Sequence, residues 1–217
     1  MSKNIIFIVF IALLGVFSLS CSQAGDKAGM PKNDAGGKPP FTKDAKPVAD
    51  SEVAVIEMEN SAAFGKITVE LYFNVAPKMV ERFKTLIKEG FYNGVTFHRV
   101  DTTNAFVIQG GDPLSKDNDP SNDGTGGSNK PKIPAEFSDI PYEAGTFGAA
   151  RTNDINTQDC QFFITLQRVP QFDKNYTVFG KVIDGMNNVR TIAGVQKEGS
   201  RPIEPVRIKA ITLQPHP

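Results

Sequence analysis

Cysteine and histidine, the usual side chains of nucleophilic and metal chemistry, are scarce in this sequence. Its 217 residues hold two cysteines, Cys21 and Cys160, and two histidines, His98 and His216. That stock cannot build a disulfide framework or a multi-thiolate zinc site, and no metal is expected. No motif brings a histidine to Cys160, so it reads as a small buried hydrophobe and not as a nucleophile. Asp117, Asp119 and Asp123-Gly124 superficially suggest a calcium loop. Counting from Asp119 as the first position, however, puts Lys130 where a bidentate Glu is required, and a solvated acidic turn is the better account. Arg99, taken alone, would be a surface ion-pair partner, and His98 beside it a structural residue.

Period-two and period-three-to-four patterns give the elements that must position these groups. Residues 53–59 and 66–72 alternate and read as strands joined through 60–65 as a hairpin. Pro77 suits a helix start and Gly90 its end, with Met79, Val80, Phe83, Leu86 and Ile87 as the apolar stripe between them. Short strand-like runs follow at 95–100, 105–109, 146–150, 161–165, 177–182 and 203–213, with a second helix expected over 186–192. Many short strands and two helices suggest a closed barrel capped by helices, although periodicity alone does not separate barrel from sandwich.

The stretch Phe91-Tyr-Asn-Gly-Val-Thr-Phe-His-Arg-Val100 resembles the signature of the cyclophilin-type peptidyl-prolyl cis-trans isomerases. Gln109-Gly-Gly-Asp112, Gly124-Thr-Gly-Gly127, Gln161-Phe-Phe-Ile164 and Val178-Phe-Gly-Lys-Val182 follow in the family's order and near its spacing. The resemblance covers about residues 53–213. It implies a mainly β fold, a closed eight-stranded antiparallel barrel capped by two α-helices, and isomerisation of X–Pro bonds without a cofactor. Such bonds turn slowly because resonance gives the C–N bond partial double-bond character, with a barrier of about 18–20 kcal/mol. At the twisted transition state the proline nitrogen regains a lone pair, and a fixed donor aimed at it favours that state over the planar one. A preorganised donor of this kind is worth about 3–4 kcal/mol.

By resemblance, Arg99 is that donor and Phe106 and Gln109 complete the catalytic set. Val107, Ala150, Arg151, Phe163, Phe172, Tyr176 and Gln171 are implied to contact the substrate. Three departures stand out. Gln171 occupies the place where cyclosporin-sensitive members carry Trp, which implies weak cyclosporin binding. Val107 replaces a commonly larger Met, implying a looser slot. The connection from Arg99 to Phe106 is longer than usual, as is the stretch 113–123.

The chain begins with an address. An apolar run over residues 5–17 behind Lys3 is short of the roughly 20 residues a membrane span needs. With Ser18 and Ser20 before Cys21, residues 1–20 read as a signal peptide. Leu19-Ser20-Cys21 resembles a bacterial lipoprotein processing site, which makes Cys21 the expected lipidation point. Residues 21–50 read as lipidated Cys21 and a flexible tether rich in Pro, Gly and Lys, reaching about 30 Å from the membrane, ahead of an isomerase domain at 51–217. An exported, membrane-anchored monomer facing the periplasm or cell surface is expected, acting on proline-containing peptides and unfolded or exported proteins. A proline-segment-binding chaperone or surface interaction lipoprotein with little turnover is the alternative. Lys and Arg (24) cancel Asp and Glu (24), which argues against nucleic-acid binding.

Overall fold

The alternation at the start of the domain becomes an antiparallel pair, β1 (Glu52–Met58) and β2 (Lys66–Leu71). One helical turn, α1 (Ser61–Phe64), joins them, and the Asn60 side chain accepts from Ala63 N at 3.2 Å to cap it. Helix α2 (Pro77–Lys88) opens on its proline and buries the expected five-residue stripe. Its free N-terminal amides are satisfied from a distance. The Glu136 carboxylate accepts from Lys78 N at 3.1 Å and Met79 N at 3.0 Å. Six further strands follow: β3 (Arg99–Asp101), β4 (Val107–Gly110), β5 (Thr146–Ala149), β6 (Phe162–Thr165), β7 (Val178–Asp184) and β8 (Ile208–Pro215). Helix α3 (Met186–Ala193) precedes the last and buries Val189 and Ile192. The structure, a computed structural model, describes residues 41–117 and 119–217. The expected signal peptide, Cys21 and the tether up to residue 40 lie outside the described residues.

The eight strands form one curled sheet in the order β8-β1-β2-β7-β5-β6-β4-β3, antiparallel at each pairing. The closed barrel expected from the sequence needs one correction, because β8 and β3 at the two ends do not pair as a ladder. Among the described residues the seam is spanned by an isolated bridge, Thr96 with Arg207, and by single backbone bonds: Gly94 N to Ile208 O at 2.9 Å, Phe97 N to Val206 O at 2.9 Å, Ile208 N to Val95 O at 2.8 Å and Val100 N to Ser200 O at 2.6 Å. Pro202 and Pro205 stand in the facing segment, and proline has no N–H to give a ladder. The same prolines explain why the strand expected over 203–213 starts at Ile208. Likewise, the run 95–100 forms a strand only from Arg99 onward.

Phe83 of α2 sits among Tyr92, Phe147, Phe162 and Phe179, with ring centroids 5.2–5.7 Å away, in the main core. A second apolar cluster holds Tyr72, Val75, Val107, Tyr142, Phe163, Val169 and Val178. Residues 41–50, part of the expected tether, lie along the domain. Phe41–Thr42 pairs in parallel with Phe137–Ser138, and the Asp139 carboxylate accepts from Asp44 N and Ala45 N at 2.6 and 3.0 Å. Val48 N donates to Asn74 Oδ1 at 3.0 Å, and Asp50 pairs with Lys84 at 2.9 Å.

Candidate active site

Strand register assembles the site. Arg99 of β3 lies opposite Gln109 of β4, Gln109 opposite Phe163 of β6, and Phe163 opposite Gly148 of β5. Directly opposed residues share a face of the sheet, so one row across four neighbouring strands carries the guanidinium, the amide and the ring. Arg99 Nη1 donates to Gln109 Oε1 at 3.2 Å. Gln109 Nε2 donates to Gln161 Oε1 at 3.0 Å, and Gln161 Nε2 to the carbonyls of Gly124 and Gly126 at 3.0 and 3.1 Å. The amide of Gln109 is thereby oriented from both ends.

A pocket of about 160 Å³ opens at this row. Val107 and Phe163, both buried, line it together with the more exposed Arg99, Gln109, Ala150, Arg151, Phe172 and Tyr176. Its volume is close to that of apolar cavities that admit a single small ring. Phe163 is fixed by its neighbours: Tyr142 stacks on it at 5.7 Å, and Phe172 and Tyr176 meet it edge-on at 5.4 and 5.6 Å. The opposing residue must be glycine for this ring to lie where it does. A Cβ on Gly148 would come within 2.4 Å of Phe163 Cζ and 2.8 Å of Tyr142 Oη. Arg151 lies over the Tyr176 ring at 4.5 Å, its Nη2 donating to Asn175 O at 2.9 Å and its Nη1 to Thr152 O at 2.8 Å. Gln109, Ala150 and Arg151 also line an adjoining pocket of about 480 Å³.

Eight of the ten expected residues therefore meet at one pocket. Phe106 and Gln171 do not line it. Phe106 packs, half-buried, against the same apolar cluster, and the lengthened turn before it leaves its backbone in the left-handed region at φ 52°. That conformation costs about 1–2 kcal/mol for a non-glycine residue; its carbonyl accepts from Leu166 N at 2.8 Å. Gln171 is exposed, its carbonyl accepting from Asn175 Nδ2 at 3.1 Å.

The family model for cyclophilin type peptidyl-prolyl cis-trans isomerases matches residues 55–213. The chain belongs to that family. A probable peptidyl-prolyl cis-trans isomerase of Brucella suis is 41% identical over 155 residues, 69% of this chain and 78% of the relative. A peptidyl-prolyl cis-trans isomerase of Schizosaccharomyces pombe is also 41% identical, over 166 residues, covering 74% of this chain and all of that one (100%). Among solved structures, a Cryptosporidium parvum cyclophilin type isomerase, crystallised in the presence of the dipeptide Ala-Pro, superposes with a TM-score of 0.66 at 29% identity. It covers 76% of this chain and 99% of its own.

The cyclophilin motifs now have physical reasons. Asp112, fully buried, ties Gln109-Gly-Gly-Asp112 to Gly124-Thr-Gly-Gly127, its carboxylate accepting from Gly124 N and, at 3.1 Å, from Gly126 N. A Cβ on Gly126 would sit 2.1 Å from that carboxylate. Cys160 is buried, and burial, joined by the Asp159 and Asp112 carboxylates, pushes its thiol up to about 12, so it is no nucleophile at neutral pH. In the acidic loop, Asp117 accepts from Asp119 N and Asp119 from Ser121 N, so both carboxylates close turns. Sequence reasoning gave no role to Gln161, Gly148 or Asp101. Gln161 heads the Gln161-Phe-Phe-Ile164 motif, and Asp101 stands two residues from Arg99, the spacing that puts two side chains on one face of a strand. Gly148 carries no signal until its neighbours are known.

Proposed function

We propose that this isomerase turns X–Pro bonds of exported proteins, from a lipid anchor at Cys21, with Arg99 as the transition-state donor. The observation that carries the site is the Arg99 guanidinium, held by Gln109 at 3.2 Å, at the mouth of a ring-sized slot lined by buried Phe163 and Val107. The planar ground state gives a proline nitrogen no lone pair to bind, whereas the twisted state does, so a donor fixed beforehand lowers the barrier. Gln109 orients both this donor and the substrate backbone, and buried Phe163 and Val107 give the ring an apolar wall. Proline-containing peptides are its substrates, in keeping with the dipeptide used for the Cryptosporidium parvum relative.

The full chain is to be assayed for proline isomerisation beside Arg99→Ala. A loss of about 10²–10³ in rate is expected for the variant. Equal rates would remove Arg99 from catalysis and favour a proline-binding module with little turnover. Radioactive palmitate incorporation, compared with Cys21→Ala, tests the anchor; equal labelling of both chains would reject it.

A further inference from the structure

Strand β3 ends on an acid that the reaction described so far does not use. Asp101 Oδ2 accepts from Arg99 Nη2 at 2.9 Å, while Gln109 holds Nη1. The guanidinium is therefore gripped at both terminal nitrogens, and among the described residues its other N–H donors have no protein partner. Exposed ion pairs ordinarily contribute little, since two mobile side chains must be frozen to form them. Asp101 is different, because it is frozen already. Its side chain is only 9% exposed, and its Oδ1 accepts from Thr103 N at 3.1 Å and Asn104 N at 2.9 Å. One carboxylate oxygen thus holds the turn that leads to Phe106, and the other holds Arg99. Burial raises the Asp101 pKa, but the backbone amides of Asn104, Thr103 and Ala105 and then the Arg99 guanidinium outweigh it and leave the value at about 2. The acid stays ionised throughout the neutral and mildly acidic range.

We infer that Asp101 is a positioning residue for the isomerisation: it fixes the plane of the Arg99 guanidinium, and ties that plane to the turn bearing Phe106, before substrate arrives. The inference rests on Arg99 being the transition-state donor. A side chain that meets its target without rearranging loses none of its stabilisation to reorganisation, and a misplacement of roughly 1 Å is enough to cost one to two orders of magnitude.

The test uses the full chain in four forms: native, Asp101→Asn, Arg99→Ala and the double variant. Asparagine keeps an Oδ1 for Thr103 and Asn104 but loses the charge and the second acceptor. With a proline tetrapeptide, Asp101→Asn is expected to lower kcat about tenfold and leave KM within about twofold. In the Arg99→Ala background the same substitution is expected to change the rate by less than about twofold, since nothing is left to position. Asp101→Glu, which retains the charge, recovers part of the loss. An unchanged kcat overturns the inference. So does a rise, which would mean that Asp101 sequesters Arg99, or an equal loss in both backgrounds, which would mean that it acts through the fold alone. Where Arg99→Ala leaves no rate to compare, the split between kcat and KM decides. A native chain without any rate would overturn the isomerase site itself, and this inference with it.

Discussion

At the scale of single residues, Gly148 bears on the slot and His98 on the stability of the fold around it. Gly148 leaves room for Phe163, and Tyr142, Phe172 and Tyr176 block the ring's alternatives. Gly148→Ala is therefore expected to cost about 1–3 kcal/mol by overpacking and to lower kcat/KM as the ring leaves the slot. Urea unfolding and the isomerisation assay check both, and a variant within twofold of native in each would contradict the argument. His98 is buried. Burial lowers its pKa below 6.5, against the pull of the Asp112 carboxylate; Arg99 lowers it further, and the Thr96 backbone opposes the shift slightly. The unfolded chain then takes up the proton first as pH falls. The stability this residue gives is complete above about pH 6.5 and drains away below it. The urea midpoint of the native protein should fall between pH 7 and pH 5 by more than that of His98→Gln; parallel profiles would exclude His98 as the cause.

At the scale of elements, patterning was legible wherever one face of an element meets the core. The stripe of α2 and the β1–β2 hairpin are read directly from spacing, because helix and strand periods leave few other solutions. Strand ends were not legible, because tertiary partners decide them: Pro202 and Pro205 delay β8, and β3 shrinks to Arg99–Asp101. The segment 41–50 misleads for a related reason. Its composition is that of a linker, yet its order comes from groups far along the chain, Asp139, Asn74 and Lys84, which no local window contains. Ala45 also packs against the cluster beneath the slot. A chain starting at residue 51 should accordingly unfold several degrees below one starting at residue 41, a kcal/mol being worth about 2–4 °C in a domain of this size. Calorimetry on the two chains decides it, and equal midpoints would make the segment a passive tether after all.

At the scale of the whole molecule, the site draws on strands whose neighbours in space are remote in sequence. Residues 99, 109, 148 and 163 become one row only when the sheet forms, which is why composition showed a globular domain and the resemblance, not spacing, named the residues. Fold and pocket were legible through the motifs; the places of Asp101, Gly148 and Gln161 were not, since each is defined by the neighbouring side chain it meets. The row also ends at an edge. Arg99 rides the shortest of the eight ladder strands, with a ladder partner on one side and only isolated bonds across the seam on the other. Such an edge opens at lower free energy than the core does. Heating should then silence the enzyme before it melts the domain, with half the activity gone, and recoverable on cooling, below the calorimetric midpoint. Coincident midpoints would show the edge to be as firm as the core. Such an edge would serve the molecule as a thermal fuse, placed at the residue proposed as the transition-state donor.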